Sequence, residues 1–324
     1  MSLDKALIYA YEFAGIGSAR PLGMADLKEP AAVTGWRWVH LDRAQPETER
    51  WLKAGAGLDP LAISALLEEE TRPRVASIDA GLLVILRGVN LNQGADPEDM
   101  VSIRVWLDER QVITLRHRKV MAAQDLRDSI DQGLLPVSPG EVLVRLTGFM
   151  IDRMGPILAD VNDAVDELEE EVLESPGFEL RTRLSKLRRQ AISLRRFLAP
   201  LREVLTHLAS GRISLLTDLD RSQLRETADR LTRYVEELDS ARDRAAVTQE
   251  ELAGRMADEM NRNMYVLSIV AGIFLPLGLL TGLLGINVGG IPGTQSDAAF
   301  YVVCGILLVL SGVVLWLFKR FRML

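Results

Sequence analysis

The pattern of hydrophobic positions divides the chain into a long mixed part and two apolar segments near its C-terminal end. Residues 265–284 and 298–318 contain no Asp, Glu, Lys or Arg. Each segment is about 20 residues long, which as an α-helix spans a hydrocarbon core of ~30 Å. The glycine-rich loop between them is too short to fold as a domain. We therefore predict a transmembrane helical hairpin that follows a large soluble part.

The first 136 residues have the pattern of a mixed α/β domain. Runs rich in β-branched and aromatic residues predict strands at 7–13, 36–41, 81–90, 101–107 and 111–116. The pattern is helical over 46–70, where Asp59 before Pro60 is typical of a helix N-cap and first helical position. A further helix is predicted over 120–132.

From residue 137 to the first apolar segment the chain is predicted to be helical. Helices over 141–174 and 178–210 form a hairpin that turns at residues 175–177. After Gly211, a third helix from Ile213 continues into the first apolar segment, about 70 residues or roughly 105 Å. One face of it is apolar, at Leu216, Leu219, Leu224, Leu231, Val235, Leu238 and Leu252.

These patterns predict three parts. Residues 1–136 form an α/β domain, 137–262 a helical hairpin and a very long stalk helix, and 263–324 two transmembrane helices with an outer loop and a basic tail. The fold class is therefore that of an α+β membrane protein.

The two arms of the predicted hairpin carry opposite charges. Acidic residues crowd the end of the first arm, and basic residues fill the second. Ion pairing between adjacent helices accounts for this pattern, and such pairs are common and weak. The alternative is an acidic surface that senses divalent cations.

The distribution of charge predicts the orientation in a membrane. The net charge is −7, which argues against a nucleic-acid partner. Arg255 and Arg262 precede the first apolar segment, and Lys319, Arg320 and Arg322 follow the second, whereas the loop between has no Lys or Arg. By the positive-inside rule both termini are cytoplasmic and the loop faces outward. The N-terminal residues have no apolar signal-peptide core, so we expect a cytoplasmic soluble part.

No catalytic signature is present in the sequence. One cysteine, Cys304, and three separated histidines exclude an internal disulfide and a Cys/His zinc cluster. P-loop, dinucleotide-binding, HExxH and nucleophile-elbow motifs are absent. We therefore expect no enzyme and no cofactor. A membrane-anchored sensor, held by its hairpin, stays open as an alternative.

One stripe of the first apolar helix has a graded character. It is polar at the cytoplasmic end, apolar in the middle and small at the outer end: Asn261, Met264, Leu267, Ala271, Leu275, Gly278 and Gly282. Small residues at this spacing serve close helix packing, which is the simpler interpretation. They also leave room for a hydrated ion in a ring of helices, with Met264 and Leu267 closing the path by dewetting. Two helices cannot enclose a path, so transport requires several copies.

Asn287 directly follows the first apolar segment. A ring of such amides can bind the water shell of a divalent cation without removing it, which suits ions that dehydrate reluctantly. A helix cap or turn residue is the alternative role.

Residues 261–277, with Phe274-Leu275-Pro276, together with Gly285-Ile286-Asn287, resemble the CorA metal-ion transporter superfamily. That family has a Phe-hydrophobic-Pro motif in its first span and a Gly-Met-Asn tripeptide at the outer mouth; Ile286 replaces the methionine here. The loop over 285–293 resembles the ZntB zinc-transporter branch. The resemblance extends over the whole chain, including 72–75 and 83–88.

The resemblance implies a funnel-shaped homopentamer in the bacterial cytoplasmic (inner) membrane. It implies a selectivity filter of Gly285, Ile286 and Asn287, in which Asn287 holds the metal through hydration water. The stripe residues would line the pore. The cytoplasmic tail would form a basic collar from Lys319, Arg320 and Arg322.

The resemblance also implies a cargo. In the ZntB branch this is Zn²⁺ with related transition metals, and proton-coupled uptake is the favoured mechanism, although efflux has also been proposed. A Mg²⁺-type channel of the same fold is the alternative. Members that carry Mg²⁺ usually have acidic residues in the outer loop, where this chain offers only Asp297. The spans hold no carboxylate or histidine, so no dedicated proton relay is visible.

Overall fold

The computed structural model describes residues 5–14, 17–28, 35–69, 72–174, 177–286, 296 and 298–320. They belong to two compact units, Met1–Gln249 and Glu250–Leu324.

A mixed sheet forms the centre of the first unit. Its strands are β1 (Leu7–Phe13), β2 (Ala19–Pro21), β3 (Trp36–Asp42), β4 (Arg74–Ile78), β5 (Gly81–Gly88), β6 (Val101–Leu107) and β7 (Gln111–Arg116). Their order across the sheet is β2-β1-β3-β7-β6-β5-β4. Strands β3 and β7 pair in parallel, and every other neighbouring pair is antiparallel.

Alternation along β3 shows what covers each face of the sheet. Val39 and Leu41 enter the core formed with helices α1 (Pro46–Ala54) and α2 (Pro60–Leu67). On the other face, Trp38 packs edge-on against Tyr9, whose hydroxyl donates to the carbonyl of Ala123 in α3 (Met121–Asp131). Helix α4 (Pro139–Asp152) packs against β5, β6 and β7. Both faces are covered, so the central strands β3, β5, β6 and β7 are buried along almost their whole length.

Most of the predicted elements of this unit are confirmed. Strands β1, β6 and β7 have the predicted bounds, β3 continues to Asp42, and β5 ends at Gly88. The Asp59 carboxylate accepts from the backbone N–H of Leu61 at 2.7 Å and caps α2 as predicted. Strands β2 and β4 were not predicted, because these mostly exposed strands at the sheet edges lack a core-facing apolar alternation.

The helix predicted over 141–174 is wrong as a single element. Helix α4 ends at Asp152, and α5 (Gly155–Glu174) begins after a turn at Arg153 and Met154. Pro156 explains the break, since a proline has no N–H to donate to the carbonyl four residues earlier, and its ring clashes there.

The predicted start of the third long helix is also wrong. Helix α6 (Phe178–Ser210) has the predicted bounds, but α7 (Asp218–Gly285) begins five residues after Ile213. A reciprocal cap sets the start: Thr217 Oγ1 accepts from the N–H of Asp220 at 3.1 Å, and Asp220 Oδ2 accepts from the N–H of Thr217 at 2.8 Å. The predicted apolar face is buried except at Leu219, which is exposed.

Ion pairs join the charged helices of the first unit. Arg183 of α6 pairs with Glu171 at 2.6 Å and with Glu167 at 3.5 Å, both on α5. Arg244 of α7 pairs with Asp166 and Glu169, which also lie on α5. The predicted pairing between helices is confirmed for these residues, and it includes a third helix. Within the described ranges, no group of three or more His, Cys, Asp or Glu side chains could hold a metal ion.

Candidate ion pathway

Among the described residues, two helices have the length and apolar composition needed to cross a membrane. They are α7, through its C-terminal part, and α8 (Ala299–Arg320). Their hydroxyl side chains donate to carbonyls one turn earlier: Ser268 to Met264 at 2.8 Å, Thr281 to Leu277 at 3.0 Å. These bonds satisfy groups that would otherwise be costly to place in hydrocarbon.

Helix α7 contacts α8 at Gly272. The half-buried positions in this part of α7 are Ile269, Ala271, Gly272, Ile273, Pro276, Leu277 and Leu280, and most of them lie on the same side of the helix as Gly272. Gly272 lies against the ring of Phe318 near the end of α8. Pro276 stands four residues after Gly272 and cannot donate to its carbonyl, so the helix is locally weakened at this contact.

The predicted pore-lining stripe occupies a different face of α7. Leu267 is 68% exposed and Leu275 is 70% exposed, and Asn261, Met264, Gly278 and Gly282 are exposed as well. Ala271, in the middle of the stripe, is half-buried. A β-carbon on Gly278 or Gly282 would meet nothing within 4 Å. Packing among the described residues of a single chain therefore does not account for these glycines.

The predicted filter and collar are described only in part. Gly285 is the last residue of α7, and Ile286 after it is exposed. Lys319 and Arg320 lie exposed in the last turn of α8. Asn287 and Arg322 lie outside the described residues.

The comparison with protein families now decides the class of this protein. A family model described as CorA-like Mg²⁺ transporter protein matches residues 33–320. The chain belongs to the CorA family.

Two relatives are similar over nearly their full length. The divalent cation transporter CmaX of Pseudomonas aeruginosa is 41% identical over 331 residues, which cover 99% of this chain and 98% of that protein. The zinc transport protein ZntB of Yersinia enterocolitica is 36% identical over 320 residues, which cover 98% of this chain and 96% of that protein.

Solved structures agree with this family membership. Full-length CmaX has a TM-score of 0.86 at 40% identity, and the match covers 98% of each chain. The CorA magnesium transporter of Methanocaldococcus jannaschii has a TM-score of 0.81 at 18% identity over 97% of this chain and 98% of that chain, which shows the shared fold alone. The predicted fold class is thereby confirmed: an N-terminal α/β domain, a long stalk helix and two C-terminal membrane helices.

The family and the fold establish the activity at the level of its class. This CorA-family protein is a membrane protein that transports divalent cations, and it is not an enzyme. Sequence reasoning named the helix that carries the stripe. It did not show which face of that helix α8 occupies, because that depends on a contact between residues 46 positions apart.

Proposed function

We propose that the chain transports Zn²⁺, with related divalent transition metals, into the cytoplasm. Transport proceeds through the pore of a homopentamer in the bacterial inner membrane and is coupled to the proton gradient. Both termini face the cytoplasm. The chain is divided into the three parts 1–136, 137–262 and 263–324.

The observation that carries this proposal is the uncovered stripe of α7. Helix α8 contacts α7 at Gly272, whereas the stripe from Asn261 to Gly282 is exposed in the single chain except at the half-buried Ala271 and is available to other copies. A ring of such helices encloses a path that is wide at its glycines and apolar at Leu267 and Leu275. Rings of apolar side chains gate such paths by dewetting.

The two ends of the path have separate roles in this proposal. At the outer end, Gly285, Ile286 and Asn287 form the filter, and the Asn287 amides bind the water shell of the ion rather than the bare metal. At the inner end, Lys319, Arg320 and Arg322 form a basic collar. Metal without its hydration water would need charged or imidazole ligands, and the predicted filter residues supply neither.

Zinc is favoured by the ZntB relative and by the acid-poor outer loop. The second candidate is a Mg²⁺-type channel of the same fold. It is favoured by the description of the matched family, which names Mg²⁺. CmaX, which is more similar to this chain than the ZntB protein described above, is named only for a divalent cation and is compatible with either ion.

Metal flux into liposomes that hold the purified protein tests the proposal. We expect Zn²⁺ uptake that grows when the outside is made acidic, with Mg²⁺ as a weak competitor. Liposomes without protein give the background. Zinc flux that ignores the pH gradient would contradict the coupling, and flux of Mg²⁺ alone would establish the second candidate.

A further inference from the structure

A basic cavity of about 400 Å³ lies in the first unit, where β6 and the end of β7 approach α6. It opens to solvent and is far from the stripe in sequence. Its charged lining combines five arginines with three carboxylates: Arg43, Arg87, Arg104, Arg118, Arg196, Glu69, Glu98 and Asp99. The excess of cationic groups makes it a candidate for an anion rather than for a metal ion.

Arg104 of β6 is the central observation. The residue is only 2% exposed, and its Nη2 donates to the carbonyl of Glu68 at 2.8 Å. Its Nε and Nη1 atoms are buried and have no hydrogen-bond partner within the described part of the chain. Buried polar atoms without partners are rare and costly in folded proteins, above all on a charged group.

The surroundings of Arg104 do not neutralise it. Burial, and then the charges of Arg43 and Arg87, lower the pKa of Arg104 to about 10, so the guanidinium is still charged at neutral pH. A bound anion would supply the missing acceptors and offset both the desolvation and the repulsion.

Other arginines of the cavity are held in place before any ligand binds. Arg43 donates from Nε and Nη2 to the carbonyl of Leu67, at 3.2 and 2.7 Å. The guanidinium groups of Arg87 and Arg196 lie 4.4 and 4.7 Å from the ring centre of Phe197. Planar guanidinium groups fixed in this way match the oxygens of a phosphate, and little side-chain entropy remains to be lost on binding.

Glu98 narrows the chemistry of the ligand. Its Oε2 is buried and has no hydrogen-bond partner among the described residues, although the cavity contains five arginines. A ligand that fits must therefore present acceptors to Arg104 and a donor to Glu98. Phosphate-bearing molecules meet both demands, through phosphoryl oxygens and through a P–OH or sugar hydroxyl group.

We propose that this cavity binds a small phosphate-bearing molecule, held by Arg104 Nε and Nη1 and the neighbouring arginines, with a hydroxyl that donates to Glu98. The site is independent of the transported ion. Phosphate chemistry of this kind is offered by inorganic phosphate and pyrophosphate and by the phosphoryl groups of nucleotides.

Calorimetric titration of the detergent-purified full-length protein tests the site. Phosphate, pyrophosphate and ATP are the probes, in buffer without divalent cations so that metal chelation adds no heat; adenosine and chloride are the reference solutes. We expect a phosphate-bearing probe to bind at 0.15 M salt, because a buried cationic site is screened less than an exposed one. Tighter binding of ATP than of pyrophosphate assigns a nucleotide, and equal or weaker binding assigns the inorganic anion.

Substitutions distinguish binding in this cavity from a general attraction of phosphate groups to basic residues on the surface. Arg118→Gln and Arg196→Gln change exposed lining residues and should each weaken binding by about tenfold or more. Arg104→Lys keeps the positive charge but loses the planar guanidinium, and should weaken binding as well. If that variant does not fold, Arg118→Gln and Arg196→Gln still test the proposal. Arg110→Gln removes an equal charge at the other end of the β6–β7 hairpin and should bind normally. Absence of binding by every phosphate probe, or equal weakening in Arg110→Gln, would overturn the proposal.

Discussion

Gly272 of α7 lies so close to Phe318 of α8 that a β-carbon on the glycine would stand 2.6 Å from Cζ of the ring. That distance is well inside van der Waals contact, so the Phe318 ring occupies this position only because residue 272 has no side chain. The contact also identifies the face of α7 that α8 occupies and therefore the face that is left for the proposed pore.

Substitution of Gly272 by alanine should weaken the pairing of the two spans. The added methyl group forces the Phe318 ring to move, and overpacking of this kind costs about 1–3 kcal/mol. Thermal unfolding of the purified protein should show a lower midpoint for Gly272→Ala, and Phe318→Ala in the same chain should recover much of the difference. Gly312→Ala, which adds the same group where nothing lies within 4 Å, is the control. Equal midpoints for Gly272→Ala and Gly312→Ala would contradict the contact between Gly272 and Phe318.

Cysteine accessibility distinguishes the stripe from the neighbouring face of α7. In a Cys304→Ser background, a single cysteine at Leu275 should react with a water-soluble thiol reagent and lose metal flux, because the pore is hydrated. A cysteine at Phe274 should react slowly and keep its flux. The two side chains are equally exposed in the single chain, 70% and 68%, so a difference arises only from assembly. Equal reactivity of the cysteines at positions 275 and 274 would show that the stripe does not line the pore.

Replacement of Asn287 by alanine should reduce zinc flux by at least about tenfold without changing the size of the oligomer. The methyl group cannot hydrogen-bond the hydration water of the ion, so the ion loses its binding site at the mouth. Liposome flux and size-exclusion chromatography measure the two properties. Asn263→Ala, which removes an amide one position away from the stripe, should transport normally. A wild-type zinc flux through the Asn287→Ala variant would show that Asn287 is not part of the filter.

Acid should destabilise the first unit through His40. The ring is fully buried, its Nδ1 lies 2.8 Å from Thr114 Oγ1, and burial, assisted by the charge of Arg116, lowers its pKa to about 3. The unfolded chain binds a proton at this histidine near its ordinary value of about 6.5, whereas the folded chain does not. The stabilisation is therefore complete above pH 6.5 and declines as the pH falls towards 3, by about 1.4 kcal/mol at pH 5.5.

Chemical unfolding at pH 7.5 and pH 5.5, followed by circular dichroism, measures this loss. The His40→Gln variant should lose less stability between the two pH values than the wild-type protein, because glutamine does not titrate. His207→Gln removes an exposed histidine and should leave the wild-type difference unchanged. A difference of the same size in His40→Gln would show that other groups cause the acid sensitivity.

The local pattern of the sequence predicted the elements well where one rule dominated. Asp59 before Pro60 located the start of α2, and runs rich in β-branched and aromatic residues located β6 and β7. It failed where two rules competed. The strong helix formers on both sides of Pro156 concealed the break between α4 and α5, and the reciprocal cap of Thr217 and Asp220 outweighed the helical pattern that begins at Ile213.

The sequence by itself determined which segments are long and apolar enough to cross the membrane, most strands and helices of the first unit, and the residues of the stripe on α7. These features depend on neighbouring residues, because helix and strand periodicity and the length of an apolar run are local properties. Only the tertiary structure decided that Gly272 meets Phe318, and that Arg104 is buried in a basic cavity with Arg118 and Arg196. Those contacts join residues far apart in the chain, and they depend on strand register and helix packing, which no local pattern records.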